Sequence, residues 1–132
     1  MASRPTNVFF TDTHEWVRLE GATAVVGITD FAVEHLGELV FVDLPAKGKK
    51  VGRGELVASV ESVKAVGEVL SPVAGKVVEV NAALGNDQTP LAKDPFGAGW
   101  IAKLEVPAGT KPAGLMDATA YQAHLDAGGG DH

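Results

Sequence analysis

The sequence predicts a mainly β protein, a flattened barrel or sandwich formed by two similar halves. Residues 37–43 and residues 75–81 share the pattern Gly-x-Leu/Val-Val-x-Val-Asp/Asn at an offset of 38 positions (75 − 37 = 38). Each half continues to a strand that ends in glutamate, at Glu61 in the first half and at Glu105 in the second. Alternating and β-branched segments separated by Gly and Pro make up most of the remainder, which is typical of strands and turns.

Length and composition indicate one globular domain over residues 1–132 and exclude several classes of function. The hydrophobic fraction is 45% and the charged fraction is 21%, which are ordinary values for a globular chain. The net charge of −6 comes without a basic stripe, which argues against nucleic acid binding. No apolar run approaches the ~20 residues of a membrane span, and residues 1–7 lack the apolar core of a secretory signal. We therefore expect neither a nucleic acid nor a membrane partner.

Eight strands are predicted in chain order. They cover residues 8–10, 16–20, 22–29, 39–44, 55–61, 66–70, 76–80 and 100–106. The segment 39–44 is apolar enough to be a central strand. In the segment 55–61, alternation places Leu56, Ala58 and Val60 on one face. Pro72 cannot donate to a ladder of backbone hydrogen bonds, so it belongs at a sheet edge or at the start of a strand.

Two helices and one long loop complete the prediction. Thr29 is an N-cap signal before a short helical turn, which Gly37 ends. The apolar spacing in residues 115–125 fits a C-terminal helix. Residues 82–99 hold two prolines and three glycines, so they are predicted to form a long loop, and the tail at 127–132 is predicted to be flexible.

Lys64 lies at the turn between the two halves, and its position suggests a carrier site. Lysines at hairpin tips commonly serve only to keep a sheet edge solvated, and that interpretation is the alternative here. The neighbours Val63 and Ala65 are apolar, which is unusual for a turn that serves solubility alone. A flexible stem that ends in a nucleophilic amine suits covalent loading better than the rigid, permanently charged guanidinium of arginine.

Eight short motifs follow one another between residues 8 and 126, the predicted core of the domain. They are His14-Glu15-Trp16-Val17, Val26-Gly27-Ile28-Thr29-Asp30-Phe31-Ala32, His35-Leu36-Gly37-Glu38, Val40-Phe41-Val42-Asp43-Leu44-Pro45, Glu61-Ser62-Val63-Lys64-Ala65, Ser71-Pro72-Val73-Ala74-Gly75, Val78-Glu79-Val80-Asn81 and Pro95-Phe96-Gly97-Ala98-Gly99-Trp100. In this order they resemble the glycine cleavage system H-protein family, whose members are lipoyl carriers. The resemblance implies a hammerhead barrel-sandwich hybrid fold of two quasi-symmetric β-halves, with a short helical turn and a C-terminal helix. It also implies covalent attachment of lipoate to Lys64 through an amide.

The resemblance further implies a role and a set of partners. Lipoylated Lys64 would shuttle an aminomethyl group from P protein, the glycine decarboxylase, to T protein, the aminomethyltransferase. L protein, which is dihydrolipoamide dehydrogenase, would reoxidise the arm, and a lipoate ligase or lipoyltransferase would attach it. In this scheme the chain is a carrier in glycine catabolism and not an enzyme. We expect a cytoplasmic monomer of bacterial type, and a mature mitochondrial form stays open as an alternative.

The family's functional residues carry over to two groups of positions. The context that the modifying enzyme would recognise is Glu61, Val63 and Ala65 around Lys64. The cleft that would hold the loaded arm is Thr13, Glu15, His35 and Glu68. A carboxylate such as Glu15 could pair with the protonated amine of the arm, although these residues could also be ordinary surface ions or helix caps. The chain departs from the usual family pattern at Gly67, Leu70 and Lys93.

Other carriers and enzymes fit the sequence less well. Biotinyl carriers share the fold but normally flank the lysine with methionine, and 2-oxoacid dehydrogenase lipoyl domains are shorter and joined to a linker and a catalytic core. A lipoate store or relay that passes lipoyl groups to other complexes stays open. The sequence has no cysteine and no Gly-x-Ser-x-Gly motif. Its histidines lack paired ligand spacing, so no metal site is predicted.

Overall fold

The computed structural model describes residues 5–110 and 114–129, which form two antiparallel β-sheets with short helices. The strands are β1 (Phe9–Phe10), β2 (Glu15–Glu20), β3 (Thr23–Ile28), β4 (Leu39–Asp43), β5 (Lys50–Val51), β6 (Leu56–Ser62), β7 (Val66–Leu70), β8 (Gly75–Val80) and β9 (Ala102–Glu105). The helices are α1 (Asp30–Leu36), α2 (Thr89–Lys93) and α3 (Ala118–His124), with a 3₁₀ turn at Ala82–Gly85 and a π turn at Leu125–Gly129. One sheet has the order β1-β2-β3-β9-β8-β5, and the other has the order β4-β6-β7.

The internal repeat is a structural repeat. The β4–β6 pair aligns Leu39 with Ser62, Phe41 with Glu61 and Val42 with Val60, and the β8–β9 pair aligns Val77 with Leu104, Glu79 with Lys103 and Val80 with Ala102. The first member of each pair is displaced by 38 positions (77 − 39 = 38) and the second by 42 (104 − 62 = 42). Both ladders are interrupted at equivalent places, around Val40 and around Val78. The two halves therefore share even their β-bulges.

Strand β4 is an edge strand, so the prediction of a central strand at 39–44 was wrong. It pairs only with β6 in the three-stranded sheet, and within it Val42 alone is buried. Apolar composition predicts a strand whether its side chains are buried or exposed, and for this reason it does not distinguish a central strand from an edge strand.

Strand β6 also departs from simple alternation at its first residues. Leu56 is 44% exposed, while Val57 and Ala58 are both buried. The register with β7 shifts between Leu56 and Ala58, and this irregularity turns Leu56 away from the face that Ala58 and Val60 share. The predicted common face of Leu56, Ala58 and Val60 therefore holds only for the last two.

Residues 82–99, predicted to be a loop, contain the 3₁₀ turn and α2. Leu84 and Leu91 are fully buried and anchor these turns in the core. Asn81 donates from Nδ2 to the carbonyl oxygens of Ala98 and Trp100, both at 2.8 Å, and so ties the end of the segment to its start. Short helices of four or five residues are too brief to produce a recognisable apolar period, so the sequence signal for them is weak.

The core has two parts, one between the sheets and one under the C-terminal helix. The second consists of five fully or nearly fully buried side chains, namely Val8, Phe10, Trp16, Val25 and Tyr121. The helix begins later than predicted, after Asp117, whose Oδ1 accepts from Ala120 N at 2.8 Å. Met116 instead extends β1 by pairing with Phe10.

Helix α1 forms where the cap signals predicted it. Thr29 Oγ1 accepts a hydrogen bond from Ala32 N at 3.2 Å, and Gly37 ends the helix with φ +82°, a backbone conformation that favours glycine. The predicted flexible tail at 127–132 lies partly in the π turn, and residues 130–132 are outside the described part of the chain. Within the described part, no helix has the length and apolar character needed to span a membrane.

Candidate functional site

Lys64 is exposed at the tip of the β6–β7 hairpin, in a turn that is closed by one serine. Ser62 N donates to the Ala65 carbonyl at 2.8 Å, and Ser62 Oγ accepts from Ala65 N at 3.0 Å. The same hydroxyl lies 3.2 Å from the Ala65 carbonyl, to which it donates. Both ends of the turn are thus tied together by the backbone and the side chain of Ser62. Ser62 belongs to the sequence motif around the lysine, but no feature of the sequence predicted that it closes the turn.

The lysine turn also contacts the end of α1. Val63 N donates to the Glu38 carbonyl at 2.9 Å, which fixes the turn to the α1–β4 connection. A Cβ placed on Gly37 would lie 3.7 Å from Lys64 Cε, so the lysine stem passes over the helix terminus. Of the residues predicted for recognition, Glu61, Val63 and Ala65 are all exposed around the lysine, with Val63 69% exposed.

A cleft of about 150 Å³ opens next to this turn, between α1, β7 and the loop before β2. It brings together three of the four residues predicted for the arm cleft, which are Thr13, His35 and Glu68. Phe31 and Leu36 give the cleft an apolar wall. The arrangement can accommodate an aliphatic chain along the wall and a polar group at the end near Thr13.

Gly67 forms part of the cleft and makes room for Leu36. A Cβ on Gly67 would lie 3.2 Å from Leu36 Cδ2, closer than ordinary side-chain contacts. A Cβ at this position would require Leu36 to move by a few tenths of an ångström, so the glycine lets Leu36 pack closely against β7 at the cleft wall.

Glu15, the fourth predicted residue, lies in a neighbouring cavity of about 510 Å³ rather than in the cleft. It is 1% exposed. Its Oε1 accepts from Thr11 Oγ1 at 2.6 Å and from Thr13 Oγ1, and its Oε2 accepts from Leu70 N at 3.3 Å. Thr13 borders both cavities and is the side chain that joins Glu15 to the cleft.

Burial raises the pKa of Glu15 above its usual value, and the hydrogen bonds from Thr11, Thr13 and Leu70 oppose the increase without cancelling it. The carboxyl is therefore easier to ionise in the unfolded chain than in the fold. Its contribution to stability is fully present below the unfolded pKa and is lost as the pH rises through the folded pKa.

We predict a pH-dependent difference in stability between the wild type and Glu15→Gln. Because glutamine does not titrate, the unfolding free energy of the wild type minus that of the variant should be largest in acid. It should fall as the pH rises from about 4, the unfolded value, through the raised pKa. Urea denaturation of both proteins across this range measures the difference, and a difference that is constant or that increases with pH would contradict the prediction.

Aromatic and histidine rings link the C-terminal helix to the cleft. His14 has φ +73°, which is uncommon for a residue other than glycine, and its Nδ1 lies 2.7 Å from Tyr121 Oη. Tyr121 Oη is also 2.8 Å from Thr29 Oγ1, the N-cap of α1. The ring of His14 packs on Phe31 at 4.8 Å between centroids, and Phe31 stacks on His35 at 5.8 Å. Tyr121 thus connects three elements at one hydroxyl group, a contact that spans 107 positions and has no signal in the sequence pattern.

Fold and site together define a mainly β protein of two sheets and two equivalent strand pairs, with one lysine displayed at a hairpin tip beside a cleft. The sequence model of the family described as glycine cleavage H-protein matches residues 8–128 of the chain. The chain belongs to this family, which confirms the resemblance deduced from its motifs.

Known relatives agree with the assignment over nearly the whole chain. The glycine cleavage system H protein of Bacteroides fragilis is 45% identical over 123 residues, covering 93% of this chain and 98% of that protein. The corresponding protein of Thermotoga maritima is 49% identical over 113 residues, covering 86% and 91%. The crystal structure of a glycine cleavage system H protein from Mycobacterium marinum superposes with a TM-score of 0.84 at 37% identity, covering 93% of this chain and 99% of that one. The predicted fold class is confirmed as mainly β, in two sheets with a C-terminal helix.

Proposed function

We propose that this chain is a lipoyl carrier of a glycine cleavage system, with lipoate attached to Lys64. The observation that carries the proposal is the exposed Lys64, held in a braced turn beside a cleft, in a member of the H-protein family. The chain would act as a non-catalytic component, since its part is to hold and present a group on which other proteins act.

The residues around Lys64 fit a lipoyl group. Its amine is on the surface, where a modifying enzyme can reach it, and the apolar wall of Phe31 and Leu36 lies close by. Amide formation removes the positive charge of the amine, so the modified side chain can lie against apolar surface at lower cost than the free ammonium. When bound, lipoate would supply a dithiolane able to accept an aminomethyl group.

Three residues would hold the end of the loaded arm. Thr13 donates its hydroxyl proton to Glu15, which leaves the lone pairs of its oxygen available to accept from an ammonium in the cleft. Glu68 at the cleft supplies a carboxylate for the same charge, and His35 closes the cleft along α1. In this arrangement Glu15 acts through Thr13, because its own oxygens are occupied by Thr11, Thr13 and Leu70.

The proposed cycle involves three partner proteins. The carrier would receive the aminomethyl group on glycine decarboxylase, deliver it to aminomethyltransferase and be reoxidised by dihydrolipoamide dehydrogenase. Tethering keeps the group at high effective concentration near each active site in turn. The relatives described above come from bacteria, and this supports a cytoplasmic carrier.

Two measurements on the wild type test the proposal. Incubation with lipoate, ATP and a lipoate ligase should add the mass of one lipoyl group, and peptide mapping should place it on Lys64. The modified protein should then stimulate glycine-dependent exchange of carbon dioxide by glycine decarboxylase, while the unmodified protein should not. Absence of modification would overturn the assignment. Full lipoylation without any stimulation would instead favour a lipoate store or relay.

A further inference from the structure

Exposed apolar side chains are concentrated in the three-stranded sheet and its lysine turn. Among the described residues, six large apolar side chains are exposed, and five of them belong to the three-stranded sheet or to its lysine turn: Val40, Phe41, Leu56, Val63 and Val66. The sixth, Val78, lies on β8. Scattered exposed apolar residues need no explanation, but four of these five, Val40, Phe41, Val63 and Val66, lie in or next to the turn that carries Lys64.

The register shows which of these side chains share a face. Phe41 pairs with Glu61, and Glu61 pairs with Val66, so the three form one row across β4, β6 and β7. Phe41 is 44% exposed and Val66 is 62% exposed. Two positions along, Asp43, Ser59 and Glu68 form the next row on the same side. We call this side, with the rows Phe41–Glu61–Val66 and Asp43–Ser59–Glu68, the outer face.

The outer face is acidic as well as apolar. Its two rows contain the carboxylates Asp43, Glu61 and Glu68, and the strands β4, β6 and β7 contain no lysine or arginine. Glu68 is in the edge strand β7, so it belongs to the outer face by register and also borders the cleft at the sheet edge. Side chains of the intervening row, Val42, Val60 and Gly67, point to the opposite side, where the valines are buried. A partner that covers the outer face must therefore offer apolar contact together with positive charge.

Comparison of the two halves shows that the fold does not require this surface. The position equivalent to Phe41 in the second half is Glu79, which pairs with Lys103 at 3.8 Å. The same bulged backbone thus accepts a partly exposed ion pair in one half and an exposed phenylalanine in the other. Packing gives no reason for the aromatic residue at position 41, and a contact with another protein does.

We propose that the outer face is the docking surface for the enzyme that lipoylates Lys64, an inference that rests on the proposed function. The chain has eight lysines, and an enzyme that modifies one of them must recognise more than an amine. The outer face ends at the lysine turn, since Glu61 and Val66 flank residues 62–65. A partner seated on it, with lysine or arginine side chains opposite Asp43 and Glu61, would have Lys64 at its edge.

The test measures initial rates of Lys64 lipoylation by a lipoate ligase on the unmodified full-length protein. Phe41→Ser combined with Val66→Thr should lower kcat/KM by about tenfold or more, mainly through KM, as expected for removal of apolar anchors from an interface. Glu61→Gln should lower kcat/KM and weaken its dependence on salt. Val78→Thr is the matched control, because Val78 is similarly exposed at the equivalent bulge of the other half, and its rate should not change.

A small lysine-acylating reagent provides the second measurement. It should modify Lys64 equally fast in the wild type and in the double variant, which would show that the turn is intact and that only recognition has changed. Equal ligase rates in both proteins, or a matching fall in the reagent rate, would overturn the docking proposal. So would normal lipoylation of the double variant with lost stimulation of glycine decarboxylase, since the face would then serve that enzyme. Failure of the wild type to be lipoylated at Lys64 would instead count against the proposed function itself.

Discussion

Replacing Lys64 by arginine is expected to eliminate lipoylation and, with it, all carrier activity in the glycine-dependent exchange of carbon dioxide. Arginine preserves the positive charge and much of the length of the side chain, but its guanidinium stays protonated and does not form the amide. Lys64 is exposed, and the hydrogen bonds of its turn come from Ser62, Val63 and Ala65, so the fold should be unchanged. Intact mass after incubation with ligase and lipoate measures the first effect, and the exchange assay measures the second.

Lys76→Arg is the matched control for this experiment. Lys76 is an exposed lysine in β8 of the second half, paired across the strands with Lys50 and Glu105. Its replacement should leave the added mass and the exchange rate as in the wild type. If Lys64→Arg still gained the mass of a lipoyl group, the attachment would have to be assigned to another lysine.

The second large effect is expected at Tyr121, which holds the C-terminal helix against the rest of the fold. Its ring is fully buried and stacks on Phe10 with 4.6 Å between centroids, so Tyr121→Ala should lower the free energy of unfolding by about 3–5 kcal/mol. Tyr121→Phe keeps the ring and removes only the hydroxyl shared by His14 and Thr29, and its cost should be about 1–3 kcal/mol. Urea denaturation measures both values.

A control on the exposed side of the same helix separates this contact from helix propensity. Gln122→Ala should change the free energy of unfolding by less than about 0.5 kcal/mol, because the side chain is exposed and the hydrogen bond that it donates to Asp126 Oδ1 lies on the surface. If Tyr121→Phe and Gln122→Ala lowered the free energy of unfolding by similar amounts, the hydroxyl of Tyr121 would contribute no more to stability than an exposed side chain does. In that case Tyr121 would hold the helix through its ring alone.

The features that could be predicted from the sequence are those with local causes. The repeat at residues 37–43 and 75–81 has the same strand pattern twice, Thr29 is a cap residue before an apolar turn, and Lys64 stands between the halves in a recognisable motif. Each of these depends on the order of neighbouring residues, which is what periodicity and capping rules describe. The structure contains all three.

The features that could not be predicted depend on contacts between distant segments. Nothing in the residues around Glu15 shows that its carboxylate is enclosed by Thr11, Thr13 and the distant Leu70 N, in a cavity behind the cleft. Likewise, the apolar run in β4 does not reveal that its strand lies at a sheet edge with Phe41 exposed. Local pattern assigns strands, and tertiary packing decides which surface each side chain faces.

The relation between the two strand pairs has a further consequence for stoichiometry. Glu61 in the first half is equivalent to Lys103 in the second, 42 positions later, and by the same displacement Lys64 is equivalent to Val106. Val106 is 3% exposed, and its N donates to the Ala22 carbonyl at 2.9 Å. Duplication of the strands therefore did not duplicate the attachment point. For a carrier of the proposed kind, one chain would hold one aminomethyl group at a time. The flux through the pathway would then scale with the number of carrier molecules.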